Sequence, residues 1–238
     1  MYFFGIDSTY LILVLPAVIF AFWAQANVQS TFNKYSKVQS SMTGYDSARA
    51  ILDANGLTNV RIERVSGNLT DHFDPRTNVI RLSDSVYDAR NAAAVGVAAH
   101  EAGHAVQYAV GYSPMKFRSA IIPITNIGSN LAMPLVLLGI LLSYPTLAYI
   151  GIAAFGLSTL FQLVTLPGEF NASGRAMDAL KSSGRMSIDS SGRTSIDETS
   201  AAGRVLRAAA LTYVAALAVS LANLLRLISV VNRSSRKR

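Results

Sequence analysis

Residues 120–166 read AIIPITNIGSNLAMPLVLLGILLSYPTLAYIGIAAFGLSTLFQLVTL, a stretch without a single Asp, Glu, Lys or Arg. Crossing about 30 Å of hydrocarbon takes roughly 20 helical residues. Two runs of that length, 120–142 and 146–166, lie here on either side of Tyr144-Pro145, so the stretch predicts a transmembrane helical hairpin. Prolines and amides inside the first run, Pro123, Asn126, Asn130 and Pro134, are tolerated where neighbouring helices supply partners. Working outward, two further runs qualify: 10–26, interrupted by Pro16, and 208–231.

The whole chain agrees with a membrane class: 238 residues, 51% hydrophobic and only 15% charged. The +7 charge does not come from a basic patch interleaved with aromatics, so nucleic acid is not expected as a partner. Most of the 21 Lys and Arg residues fall in segments 34–118 and 175–207, which the positive-inside rule places together on the cytoplasmic side. Arg233, Arg236, Lys237 and Arg238 then lie outside, against the rule. Arg226 is near enough to the end of its span to snorkel. No Lys or Arg precedes Lys34, so 10–26 reads as a permanent anchor with its N-terminus outside, although Ala24-Gln25-Ala26 resembles a cleavage site. Cysteine is absent, which removes disulfides and thiolate metal ligands.

Between the spans the pattern changes. Ala48, Ile51 and Leu52 recur at helical spacing in 44–58, and Asn55-Gly56 stops the helix. Segment 59–65 reads as a strand, 66–68 and 71–75 as turns, and 78–82 as a second strand. Residues 92–109 are Ala-rich and favour helix. Segment 182–200 holds two copies of a Ser-Gly-Arg-x-Ser-Ile-Asp unit, 183–189 and 191–197, and reads as a flexible linker.

The Ala-rich helix carries His100-Glu101-Ala102-Gly103-His104. Residues four apart share a helical face, so two imidazoles can hold one Zn²⁺ through ring nitrogens. Glu101 between them is suited to activate water as a general base. Ala102 and Gly103 keep the surface low for an approaching substrate. The competing reading is a helix with two satisfied histidines, but polar groups in such apolar surroundings are costly without a partner. A catalytic zinc takes three protein ligands, and without cysteine the third is expected to be a carboxylate. Glu169 is best placed, at the start of a helix expected to run to about 180 after Pro167-Gly168. Glu198 and Asp178 remain as alternatives, and a glutamate at a helix N-terminus is also favoured by the helix dipole alone.

These residues resemble the YugP-like membrane zinc peptidases. The likeness runs through LTDHFDP (69–75), RLS (81–83), AAHEAGHAVQ (98–107), LPGEFNAS (166–173) and AAALTYVAA (208–216). More distantly, the chain is similar to HtpX-type gluzincins, in which a glutamate on a later helix completes the zinc site; the resemblance implies that role for Glu169. Those enzymes place an aspartate four residues after the ligand glutamate, where this chain has Ser173; Asn171 is a second candidate supporter. Gly174 stands where an arginine is expected before Arg175.

The expectation is a mainly α membrane protein with about four transmembrane helices and a small α+β zincin-like catalytic unit. Its segments are an anchor (1–26), an α+β unit with the zinc helix (27–118), a transmembrane hairpin (119–167), a third-ligand helix with the repeat loop (168–207), and a last helix with a basic tail (208–238). The expected function is zinc-dependent endopeptidase, with one Zn²⁺ per chain on His100, His104 and Glu169 and with Glu101 as base. Its partners are the bilayer and protein or peptide substrates, membrane proteins among them, and its place is the cell membrane. His72 and Arg175 are candidate oxyanion donors, and the 78–82 strand a candidate edge for an extended substrate. The rivals are a zinc-binding, non-proteolytic membrane scaffold and a transporter, for which Asn126, Asn130 and Gln162 are the hints.

Overall fold

A computed structural model describes residues 7–182 and 198–236 of the chain. After a π-helical turn, Tyr10–Val14, the order is α1 (Leu15–Tyr35), α2 (Gly44–Ala54), β1 (Arg61–Val65), β2 (His72–Asp74), β3 (Val79–Ser83), α3 (Ala92–Ala109), α4 (Ser113–Leu141), α5 (Pro145–Ser182) and α6 (Glu198–Arg236). The protein is mostly helical, with one small mixed sheet. Among the described residues, four helices are long and apolar enough to cross a membrane: Tyr10–Tyr35, Ser113–Leu141, Pro145–Ser182 and Glu198–Ser234. The chain sorts into two units: Met1–Gln25, Phe117–Pro167 and Leu211–Arg238 form one, and Ala26–Lys116 with Gly168–Ala210 form the other.

The first unit is built from the apolar runs. Large side chains such as Ile12, Phe22, Trp23, Leu138 and Leu141 are exposed, which suits a lipid surface and not water. Small residues let α4 and α5 approach: a Cβ on Gly139 would lie 2.3 Å from the Ala148 nitrogen, and one on Gly151 2.6 Å from the Ala132 carbonyl oxygen. The turn between them closes as Tyr144 N–H donates to the Gly139 carbonyl at 2.8 Å. Polar contacts also join spans, Thr159 Oγ1 to Ser220 Oγ at 2.8 Å and Tyr149 Oη to Asn232 Oδ1 at 2.7 Å. The Arg226 guanidinium lies over the Tyr10 ring at 5.2 Å, with Nε 3.5 Å from Asp7 Oδ1, both near the start of the first span.

The second unit has a core of its own around Leu52, Val79, Ile80, Leu82, Val86 and the alanines of α3. Thr43 and Asp46 form a reciprocal cap that starts α2. The sheet order is β1-β3-β2, with β1 parallel and β2 antiparallel to β3. Two sequence expectations change here. The 71–75 turn contains a strand, β2, because Asp71 draws it onto β3: its carboxylate accepts from Ser83 N–H at 2.7 Å and from Ser83 Oγ at 2.9 Å. β3 is therefore the middle strand with both edges paired, and cannot offer an edge to a substrate; the edge strands are β1 and β2.

The third-ligand helix also differs from expectation. α5 runs unbroken through Pro167, so Glu169 lies within a long helix and not at its N-terminus. Proline removes one donor and clashes with the preceding turn, yet helices of membrane proteins absorb this. The dipole explanation of Glu169 falls away with it. Residues 182 and 198–200 are helical, and the rest of the repeat segment lies outside the described residues.

Candidate metal centre

α3 begins at an Asn91 cap, whose Oδ1 accepts from Ala94 N–H at 2.9 Å. Its alanines from Ala92 to Ala105 and its glycines are buried, which lets backbone pack on backbone. A Cβ on Gly96 would meet the Ala202 Cβ of α6 at 3.0 Å, and one on Gly103 would lie 2.6 Å from the Ala172 carbonyl oxygen of α5. Gly103 thus serves the approach of α5, correcting the expectation that it clears space for substrate; Ala102 is likewise fully buried. Ala172 is one turn from Glu169, so this close contact brings the carboxylate to the two histidines.

Among the described residues, one group of metal-donor side chains converges: His100, His104 and Glu169, with their ligand atoms within 4.8 Å of one another. Glu169 Oε2 is 3.4 Å from His100 Nε2 and 3.3 Å from His104 Nε2. Atoms about 2.0–2.1 Å from a tetrahedral zinc are separated by about 3.3–3.4 Å, so two edges of the triangle already have the ligand spacing. The rings lie 4.6 Å apart at 81°. All three side chains are largely shielded from water, Glu169 almost wholly. Burial disfavours the His104 imidazolium, but the hydrogen bond and charge of Glu169 and the charge of Glu101 outweigh it and raise the ring's pKa. The same field that attracts a proton attracts a cation. The donor set, two imidazoles and a carboxylate, fits zinc.

The other ring nitrogens are held from behind. Ser173 Oγ is 3.1 Å from His100 Nδ1, so the residue at the offset where relatives were expected to have aspartate still reaches the histidine. His104 Nδ1 is 3.0 Å from Gln107 Oε1. The Gln107 amide nitrogen donates to the Gly168 carbonyl at 2.7 Å and to Asn171 Oδ1 at 2.9 Å, and Arg175 Nε donates to the same Asn171 oxygen at 2.9 Å. Asn171 therefore supports the site at one remove. Gln107 escaped the sequence reading; its signal was a lone amide three residues beyond His104, on the face that the ligands share.

Glu101 is buried on α3, about 100° around the helix from His100 and about 60° from His104. The remaining candidates stay outside the converging group. His72 is exposed on β2, with Nδ1 2.9 Å from the Thr70 carbonyl. Glu198 is buried and accepts the Ser40 hydroxyl, and Asp178 is exposed on α5. Asp71 was also missed. Burial and the Glu101 charge push its carboxyl up, against the two Ser83 hydrogen bonds that pull it down.

Comparison with known proteins points the same way. The family described as "Putative neutral zinc metallopeptidase" matches residues 10–232. The protein described as "Putative membrane protease YugP" from Bacillus subtilis (strain 168) is 45% identical over 223 residues, covering 93% of this chain and 96% of that protein. No solved structure matches the chain significantly. Two histidines and a glutamate converge as possible metal donors, and with nearly its whole length matched the chain belongs to this zinc metallopeptidase family.

Proposed function

We propose that the protein is an integral-membrane zinc endopeptidase, with one Zn²⁺ held by His100, His104 and Glu169 and with Glu101 as the general base. The observation that carries this is the spacing of 3.4 and 3.3 Å from the Glu169 oxygen to the two Nε2 atoms, in a buried pocket of charge. Zinc bound there supplies Lewis acidity, making water easier to ionise and a carbonyl easier to attack. Glu101 takes one proton from the water that attacks the scissile carbonyl carbon. When the C–N bond breaks, Glu101 returns that proton to the leaving nitrogen. His100 and His104 stay neutral while they serve as ligands, and Glu169 contributes the negative charge.

Substrate recognition follows from the sheet. β2 is an edge strand, and its Phe73 ring packs edge-on against Tyr108 of α3 at 6.0 Å. An extended peptide pairing with the open side of β2 is read through its main chain, which suits varied sequences. The positive-inside pattern puts 27–118 and 168–207, which carry the site, on the cytoplasmic side of the cell membrane, with 1–26, 119–167 and 208–238 as the anchoring parts. The substrates are then proteins or peptides at that surface, membrane proteins included.

The test is zinc content together with proteolysis of an unfolded protein in detergent, for wild type, Glu101→Gln and Glu169→Ala. Zinc is expected at one per chain in wild type and in Glu101→Gln. Cleavage should fall about 10²- to 10⁴-fold in Glu101→Gln, the usual worth of a general base. Glu169→Ala should lose both metal and cleavage. Undiminished cleavage by Glu101→Gln would sink the mechanism, and full zinc in Glu169→Ala would remove Glu169 from the ligand set.

A further inference from the structure

Resting on the metal-site reading above, we propose that Gln107 is a positioning residue that fixes the tautomer of His104, so that the Nε2 lone pair is presented to the metal. The side chain is fully buried, and every polar atom of its amide has a partner. The Gly168 carbonyl can only accept, so the Gln107 atom 2.7 Å from it must be the NH₂ group. That leaves Oε1, which can only accept, facing His104 Nδ1 at 3.0 Å. Nδ1 must then carry a hydrogen, so once the ring is neutral the Nε2 lone pair is the one left for the metal.

The orientation is fixed one step further back. Arg175 Nε can only donate, so the Asn171 atom that it meets at 2.9 Å is the oxygen, and the same oxygen receives the second N–H of Gln107. Each link in Arg175, Asn171, Gln107, His104 leaves the next a single orientation. His100 has no such constraint, because its neighbour, the Ser173 hydroxyl, both donates and accepts. Gln107 also joins the ligands to each other: its acceptor holds His104 on α3, and its donors hold Gly168, the residue before Glu169 on α5. Outer partners of this kind are typically worth about 10- to 100-fold in metal affinity.

Gln107→Met keeps the volume and removes both acceptor and donors, whereas Gln107→Glu keeps an acceptor toward His104. The chain has 3 histidines, so ¹⁵N-histidine labelling gives a spectrum simple enough to assign by single substitution. In metal-free protein, at a pH where imidazoles are neutral, wild type is expected to show His104 protonated at Nδ1. Gln107→Met should show a mixture of tautomers and bind zinc about 10- to 100-fold more weakly, measured by competition with a chromogenic chelator. Gln107→Glu should keep the Nδ1–H form, because one carboxyl oxygen still accepts from it. It should recover only part of the affinity, since its other oxygen faces two acceptors, the Gly168 carbonyl and Asn171 Oδ1, where the amide donated. Its tautomer also decides the matter if Gln107→Met does not fold. An unchanged His104 tautomer with undiminished zinc affinity in Gln107→Met overturns the proposal, as does a Gln107→Glu variant with mixed tautomers. Absence of zinc binding by wild type would instead overturn the metal-site reading on which it stands.

Discussion

Replacing Gly103 with alanine pits helix propensity against the close approach of two helices. On propensity alone, Gly→Ala within a helix stabilises by about 1 kcal/mol. In this structure the new methyl would lie 2.6 Å from the Ala172 carbonyl oxygen and 3.3 Å from the Ala172 carbonyl carbon and Cα, all backbone atoms that cannot swing aside. Ordinary contact begins near 3.4 Å, so α3 and α5 must part locally by about 0.8 Å. Metal–ligand distances are held within about 0.2 Å, so a retreat of this size one turn from Glu169 takes its carboxylate out of ligand range unless the side chain follows. Overpacking of this kind costs about 1–3 kcal/mol, enough to cancel or exceed the propensity gain. Gly103→Ala is therefore expected to bind zinc at least about 10-fold more weakly, the low end of what disturbing a ligand's support costs, and to melt no higher than wild type. Gly174→Ala on α5 is the control, since a Cβ there meets nothing within 4 Å. The assays are chelator competition and thermal melting in detergent. A Gly103→Ala variant with wild-type zinc affinity and a raised melting temperature would refute the reasoning.

Two more predictions concern pH. Zinc competes with protons for His104, whose pKa the neighbouring carboxylates raise, so affinity should begin to fall, as pH is lowered, at a higher pH than an ordinary imidazole would give; a flat affinity through the imidazole range contradicts this. Asp71→Ala strands the Ser83 N–H, while the Ser83 hydroxyl keeps Ser85 Oγ at 3.0 Å, and should cost about 1–3 kcal/mol in denaturant melts; Asp71→Asn, able to accept from the N–H, should cost far less. Because the folded-state pKa of Asp71 is raised, its favourable contribution is complete below the ordinary carboxylate range and is lost as pH rises through the raised value. Asp71→Asn should flatten that dependence, and an unchanged pH profile would show that the group does not titrate on folding.

The spans were legible because their signal is local: uninterrupted apolar length needs no knowledge of neighbours. The pairing of His100 and His104 was legible for a similar reason, since they declare their shared face by spacing alone. Glu169 was the best-placed carboxylate by position and by the lack of cysteine, and the resemblance favoured it over Glu198 and Asp178, because nothing near it in sequence says what it will face. Gln107 declared only its helical face, not its role: one of its partners is the backbone carbonyl of Gly168, a group every residue has. β2 and the central place of β3 were hidden for the same kind of reason. Three residues carry no periodicity, and what makes them a strand is a carboxylate at Asp71 that finds Ser83 only after folding. Pro167 misled by rule, since a helix break is the ordinary consequence of proline.

The alanine lining of α3 divides cohesion from chemistry. A buried methyl contributes roughly 0.8 kcal/mol, against about 1.5–3 kcal/mol for a whole Leu, Ile or Val side chain. The large side chains of the core are therefore mostly Leu52, Val79, Ile80, Leu82 and Val86, on or beside α2 and the sheet, while α3, which bears the reactive groups, adds Val95 and Val106 to its alanines. Its polar residues can be exchanged for isosteric ones with little loss of hydrophobic burial, so the reaction can be silenced while the scaffold stands.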